Sequence, residues 1–442
     1  MIRHPEQKKK YKFTTLILLV VTIFFLSRYS MLNEAPPRQN LPQSVDVVVV
    51  GSGLTGNLAA IAAAQEGVQV LYINLSTDET VKELPYPTVF WAADTHYQEK
   101  KELKYLPETM ALHLYRRGKE KGNYAQLLAL SLASADSLQW LEELTGQKFS
   151  ELSGENIGMH WPAGENAYFK ILEQTEAVLP ALVTEKVNCL PINLITAGED
   201  IVGLTIRNEE GIEEEIRTRA VILADGGYAS NKEMLSAYAG VSSVRTRNSG
   251  GYMGIGLKLA QMVGAQTADL EKIILQPIVV SSGESVGSFT LENTLLVSAE
   301  GEIINNEGDI EELLANNGGT LFVVTGKNHP LKQQIRMESF SERQELAAVL
   351  HLPLSALEEN FSGLQPPYQV AVLGLVAITP GGIAVTEEYK VIGREKIIAG
   401  LYAAGEITAG LHGNATATDL FFTEAVISAR IAGLQAAKYA RR

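Results

Sequence analysis

The chain has 442 residues, of which 46% are hydrophobic and 20% charged, enough to bury a large core in two domains or more. A net charge of −14 argues against nucleic acid as a partner, because phosphate binding needs clustered Lys and Arg. The single cysteine, Cys189, excludes an internal disulfide framework and any multi-cysteine zinc or iron–sulfur site, and no CxxCH is present to attach a haem.

Charge is unevenly placed. Residues 1–30 hold Arg3, Lys8, Lys9, Lys10, Lys12 and Arg28 against Glu6, a local balance of +5 that leaves −19 for the rest. Phe13 to Leu26 is uncharged and almost wholly apolar. A basic flank before an apolar stretch predicts a cytoplasmic N-terminus and a chain crossing outward. The stretch is short against the about 20 residues of a spanning helix, but snorkelling by Lys12 and Arg28 extends it. The alternative is a cleaved signal peptide, and SRYSMLNEAPP offers no small-x-small cleavage site. An uncleaved single-pass transmembrane helix is therefore expected over residues 1–30, with the folded part on the side opposite the N-terminus. Residues 31–44, with three prolines, read as an extended linker.

Val45 to Val50 (VDVVVV) is a β-branched run of the kind found in fully buried parallel strands. It leads straight into Gly51-Ser52-Gly53-Leu54-Thr55-Gly56, an intact GxGxxG. An Ala-rich helix is predicted over Asn57–Glu66, with Gly67 as its stop and a second strand over Val68–Ile73. Strand, motif, helix and strand within roughly 30 residues give the motif its Rossmann-type dinucleotide-binding meaning. Gly51 permits the tight turn, Gly53 lets backbone approach a pyrophosphate, and Gly56 allows close helix–sheet packing. Ser52, Thr55 and the free N–H groups at the helix start complete the phosphate cradle. The acid expected at the end of the second strand, to grip a ribose diol, is replaced by Asn74, which can still exchange hydrogen bonds with hydroxyls. The alternative is a Rossmann-like turn that holds no nucleotide. Further on, residues 123–145 carry the i, i+3, i+4 apolar spacing of one amphipathic helix, read as packing.

The C-terminal segments point to relatives. Gly400-Leu401-Tyr402-Ala403-Ala404-Gly405-Glu406, then His412-Gly413 and Ala429-Arg430-Ile431-Ala432-Gly433, closely resemble the end of the fumarate reductase/succinate dehydrogenase flavoprotein family. Earlier segments resemble it in the same order. These are Ala92-Ala93-Asp94-Thr95, His160-Trp161-Pro162, the strand Val221 to Tyr228 with its Ala224-Asp225-Gly226-Gly227, and the turn and helix from Gly251 to Ala265. The resemblance implies an α/β fold, with a Rossmann-type FAD-binding domain over residues 45–272 and 379–442 and an inserted α+β capping domain over 273–378. Strands are expected there at Thr294–Ser298 and Thr320–Thr325. It also implies FAD as cofactor, with Gly51, Gly53 and Gly56 at the pyrophosphate, Asn74 at the adenosine ribose, Ala224 and Gly405 alongside, and Glu406 on the ribityl hydroxyls. The alternative for Glu406 is a solvent-exposed loop carboxylate.

The catalytic half of the family pattern is largely missing. Gln276-Pro277 stands for Gln-x-His-Pro, Ile303 lies where a Lys-Arg-Phe segment is expected, Ile378-Thr379-Pro380 replaces His-Thr-Met, and Thr416 replaces an arginine. At the flavin end, Pro87-Thr88-Val89 replaces a Ser-Gly-Gly loop and Ile255 the aspartate of Gly-Asp-Gly. Arg245, Arg247, Lys327 and Arg336 could return positive charge from new positions. His412 is the catalytic candidate that remains, able to orient substrate or move a proton, with a satisfied structural histidine as the alternative. His96, His113, His329 and His351 show no metal-site spacing, so no metal is assigned. Two functions are open. One is a membrane-tethered FAD oxidoreductase acting on a small substrate other than fumarate with an unknown electron donor or acceptor; the other is a binding or scaffold subunit that has lost catalysis.

Overall fold

A computed structural model describes residues 44–51, 53–75, 88–150, 157–163, 167–241, 253–280, 293–305, 309–327, 329, 337–360, 364–415 and 418–442. The expected membrane helix and the linker up to residue 43 fall outside these residues, and Ser44, the last residue assigned to the linker, opens the first strand. Among the described residues, no helix is long and apolar enough to cross a membrane.

The chain opens with β1 (Ser44–Gly51), α1 (Gly53–Gln65) and β2 (Val70–Asn74). Val47 to Val50 are fully buried, since helices or further strands cover both faces of a parallel strand here. The helix starts four residues earlier than its apolar pattern suggests, because the glycine motif itself forms its first turn. β3 (Phe90–Trp91) follows, then the helices α2 (His96–Lys100), α3 (Pro107–Arg117), α4 (Tyr124–Leu132) and α5 (Ser134–Thr145). The single amphipathic helix expected over 123–145 is thus two helices. Asn123 caps the first through its side chain, and Ser134 donates its hydroxyl to the Ser131 carbonyl at the junction, 2.7 Å.

β4 (Phe149–Ser150), β5 (Met159–Pro162), α6 (Ala167–Ala177), β6 (Val183–Lys186), β7 (Cys189–Ala197), β8 (Asp200–Asn208) and β9 (Glu213–Ala224) come next. The helices α7 (Lys232–Ala239) and α8 (Ile255–Met262) then lead to β10 (Thr267–Ala268). Residues 274–378 supply β11 (Ile274–Val279), β12 (Leu295–Ser298), β13 (Ile303–Ile304), α9 (Ile310–Asn316), β14 (Thr320–Thr325), β15 (Glu338–Phe340), α10 (Arg343–Val349), α11 (Leu354–Asn360) and β16 (Tyr368–Ile378). The chain closes with β17 (Gly382–Ile383), β18 (Lys390–Ile392), β19 (Ile397–Ala403), a 3₁₀ turn (Gly405–Ile407) and the 20-residue α12 (Phe421–Ala440).

An eight-stranded sheet runs β18-β19-β9-β1-β2-β6, with β8 on β9 and β7 on β8. Its central pairs, β19–β9, β9–β1, β1–β2 and β2–β6, are parallel, so their C-terminal ends share one edge. A second sheet, β11-β16-β14-β12-β13 with β15 on β16, is antiparallel throughout. Its core includes Leu296, Leu314, Leu321, Val323 and Leu373, all fully buried. On the first sheet, α12 crosses α1 closely. A side chain at Gly433 would place its Cβ 2.7 Å from the Ala59 carbonyl oxygen, so the two helices approach within reach only of small residues.

Candidate functional site

The parallel edge of the large sheet carries the glycine motif. Gly51 ends β1 in register with Ala224 of β9 on one side and Asn74 of β2 on the other. A Cβ on Gly51 would lie 2.5 Å from the Ala224 oxygen, which makes glycine obligatory there. Gly53 turns the chain into α1 with φ of 71°, a conformation that only glycine adopts freely. Gly56 rests on the Tyr72 ring, where a Cβ would meet Oη at 2.9 Å, so α1 lies directly on the sheet. Ser52 lies outside the described residues. Gly405 has φ of 75° and its Cα faces Thr55, whose Oγ1 would stand 2.9 Å from an added Cβ. The C-terminal loop is thereby pressed onto the start of α1. The Gly405 amide donates to Ser428 Oγ at 2.8 Å, which ties the same loop to α12.

Glu406 is buried, 6% exposed, which excludes the exposed-loop alternative. Its Oε1 accepts from the Thr379 amide at 3.0 Å and stands 3.2 Å from Thr379 Oγ1. The Tyr228 amide donates to that same hydroxyl at 3.1 Å. Gly227 closes this cluster, since a Cβ there would fall 1.9 Å from Thr379 Oγ1. Thr379, present in the sequence only as the middle residue of Ile378-Thr379-Pro380, reaches Glu406 through the fold.

Asp225, next to Ala224, is a second carboxylate that pattern reading did not select. Its Oδ2 accepts from the Gly256 amide at 2.9 Å at the start of α8, and Oδ1 has no partner among the described residues. Burial pushes this carboxyl up to about 6, against hydrogen bonds from the Gly256 and Ile255 backbone that favour the ionised form. The aspartate missing at Ile255 is thus matched by one across the contact at position 225.

His412 is buried and held. Its Nε2 lies 2.7 Å from Glu424 Oε2, with both side chains almost fully enclosed, and its ring stacks on Phe421 at 4.0 Å. Thr408 Oγ1 stands 3.0 Å from Glu424 Oε1 and 2.9 Å from the Gly405 oxygen, linking this pair to the Glu406 loop. Nδ1 of His412 finds no hydrogen-bond partner among the described residues. Glu424 sits in the first turn of α12, where the helix dipole favours a carboxylate.

Phe421 also packs with Ile274 and Ile378 in one buried apolar cluster. Gln276 is buried inside β11, paired with Val376, while Ile303 is 37% exposed on the second sheet. Arg245, Arg247, Arg336 and Thr416 lie outside the described residues. Arg117, which the sequence did not single out, donates to both oxygens of Asp419 at 2.9 and 3.0 Å and lies over Trp91. Asn74, beside Gly51 on the same sheet edge, donates its amide to Glu185 of β6 at 2.8 Å.

The backbone cradle fits a dinucleotide. Glycines at closest approach, the N-terminus of α1 and buried carboxylates on the neighbouring strand ends all gather on one edge of the sheet, as diphosphate and ribose require. The profile of the FAD binding domain family matches residues 46–417. The chain belongs to the fumarate reductase type of FAD-binding flavoprotein. FAD is its cofactor. The flavoprotein is 26% identical over 451 residues to the NADH:fumarate oxidoreductase of Klebsiella pneumoniae, covering 90% of this chain and 48% of that protein. It therefore spans about half of that relative's length. A vinyl phenol reductase of Lactiplantibacillus plantarum is 29% identical over 243 residues, 50% of this chain and 46% of that protein. Among solved structures, the open conformation of a flavocytochrome c3 fumarate reductase shares the fold of the flavoprotein. The TM-score is 0.79 at 21% identity, over 91% of this chain and 80% of that one.

Proposed function

We propose that this flavoprotein reduces or oxidises a carbon–carbon bond of a small substrate other than fumarate, and that residues 1–30 tether it to a membrane. The observation that carries the substrate reading is the buried apolar cluster of Ile274, Ile378 and Phe421; the resemblance places Ile378 where the family has a histidine. A dicarboxylate in a water-poor cleft needs charge-paired donors, and a buried anion without them costs several kcal/mol. An apolar wall at this point favours an alkene with one carboxylate or none, and a relative named for vinyl phenol accords with that.

Bound FAD would supply hydride acceptance and donation. The chain's own part is to hold and orient. Gly51, Ser52, Gly53, Thr55 and Gly56 are proposed to receive the diphosphate on backbone N–H groups. Ala224 and Gly405 would shape the passage, and Glu406 would accept from the ribityl hydroxyls while Thr379 keeps it in place. His412 is the candidate to hold or pass a proton through Nδ1, with Glu424 fixing the ring. A separate electron donor or acceptor is required, and the basic N-terminus supports a tether with the folded domain opposite the cytoplasm.

Oxidation of a reduced dye by FAD-loaded protein tests this reading. Turnover with an acrylate or phenolic alkene, and none with fumarate above background, is the expected result. Each missing charge-assisted contact removes on the order of 2–4 kcal/mol of transition-state stabilisation, though not additively. Fumarate turnover of about 1–1000 per second, the ordinary enzymatic range, would overturn it. No turnover with any alkene would favour the binding-subunit alternative, in which the hold of Glu424 and Phe421 on His412 is purely structural.

A further inference from the structure

The ordinary ribose-gripping acid at the end of the second strand is absent, since Asn74 stands there. β6 lies beside β2 in parallel, with Glu185 opposite Tyr72, two residues before Asn74. Paired residues in a parallel ladder project to the same face, and side chains alternate along a strand, so Tyr72, Asn74 and Glu185 share one face. The Asn74 Nδ2 donates to Glu185 Oε1 at 2.8 Å. The adjacent cation, Lys186, is drawn to Glu214 at 3.1 Å. Among the described residues, no Lys or Arg pairs with Glu185. A carboxylate offers about four acceptor positions, and the one amide contact uses a single one. β6 is the last strand of the sheet, and Glu185 is exposed there, open to a ligand lying along the edge.

We propose that Glu185, oriented by Asn74, is the acceptor for the adenosine ribose diol of FAD. The carboxylate that other dinucleotide sites place at the end of the second strand has moved one strand outward. Asn74 acts as the positioning residue and Glu185 as the ligand. This rests on the FAD placement proposed above, with the diphosphate at the glycine motif and the adenosine running towards β2 and β6.

The test is the equilibrium dissociation constant of FAD, read from flavin fluorescence as bound cofactor is released. Glu185→Ala is expected to raise it about tenfold to a hundredfold, the worth of a hydrogen bond to a charged acceptor. Asn74→Asp sets two carboxylates against each other and also weakens binding. The double variant Asn74→Asp/Glu185→Gln returns the charge to β2 and restores affinity towards wild type. Recovery by this exchange is something a merely structural role for Glu185 would not produce. Because Glu185 is exposed, the apo-protein melting temperature of Glu185→Ala should match wild type, and that of the double variant, which again holds a single carboxylate there, should lie close to it, showing that both fold. Wild-type affinity in Glu185→Ala, or no recovery in the double variant, overturns the proposal while leaving FAD binding intact. A wild-type protein that takes up no FAD overturns the placement itself.

Discussion

At the scale of single residues, Asp225 and His412 carry the clearest consequences. Asp225 is fully enclosed and titrates at about 6, well above the ordinary carboxylate range, because burial disfavours its charge. An acid raised in the native state keeps its proton to higher pH than the unfolded chain does. Its contribution to stability is therefore most favourable below about pH 4, declines as pH rises to about 6, and is level beyond. Asp225→Asn removes that dependence while keeping the acceptor for the Gly256 amide. We expect the variant to gain on wild type by up to roughly 3 kcal/mol between pH 4 and pH 6, with no further gain above. Denaturant unfolding of both proteins across that range checks it; a constant difference would show that the carboxyl does not titrate there. For the His412–Glu424 pair the expected change is of opposite sign. His412→Ala leaves a buried carboxylate without its main partner and should cost about 3–5 kcal/mol, seen as a lower denaturant midpoint. A midpoint unchanged from wild type would mean that the pair does not hold the loop to α12.

At the scale of elements, the site depends on two helices and one glycine between them. Gly433 lets α12 lie against α1, and α1 begins at the glycine motif proposed to receive the diphosphate. Gly433→Val forces atoms into a space where even a Cβ meets the Ala59 oxygen at 2.7 Å. Overpacking of this kind costs about 1–3 kcal/mol, and here it also displaces α1 from the Gly405 loop. We expect a lower melting temperature together with weaker FAD retention on gel filtration. A variant that loses stability but keeps full FAD would show that the cradle is independent of this contact. Element boundaries were legible where one signal governed them. VDVVVV marked β1 because a fully buried strand tolerates little else. The split between α4 and α5 was not legible, since the apolar spacing continues through Ala133 and only backbone-directed hydroxyls separate the two.

At the scale of the whole molecule, charge is divided between an acidic bulk and a basic N-terminus, and the proposed membrane tether belongs to the latter. A −19 folded part has no electrostatic attraction for an anionic membrane surface, so any attachment through residues 13–26 must be apolar. High salt screens charges over about 3 Å at 1 M but leaves apolar insertion in place. The full-length protein should therefore remain with the membrane pellet after a 1 M salt wash. A soluble form lacking residues 1–30 would instead indicate cleavage of the leader.

The sequence by itself determined the dinucleotide cradle and the family. A glycine motif, its flanking strand and the Ala-Ala-Gly-Glu loop are local demands of backbone geometry, and local demands are written in contiguous residues. The resemblance also leads to the expectation that the carboxylate-binding cations are missing from their usual places, which the fumarate assay tests. Only the tertiary structure decided what stands beside each site residue. Glu185 reaches Asn74 across 111 residues of sequence, through the pairing of β2 with β6. Thr379 reaches Glu406 through the return of β16 to the first sheet's edge, and Glu424 reaches His412 by one turn of α12. Hydrogen-bond partners of buried polar groups are set by strand order and helix docking. Those are properties of the packed core rather than of any single segment.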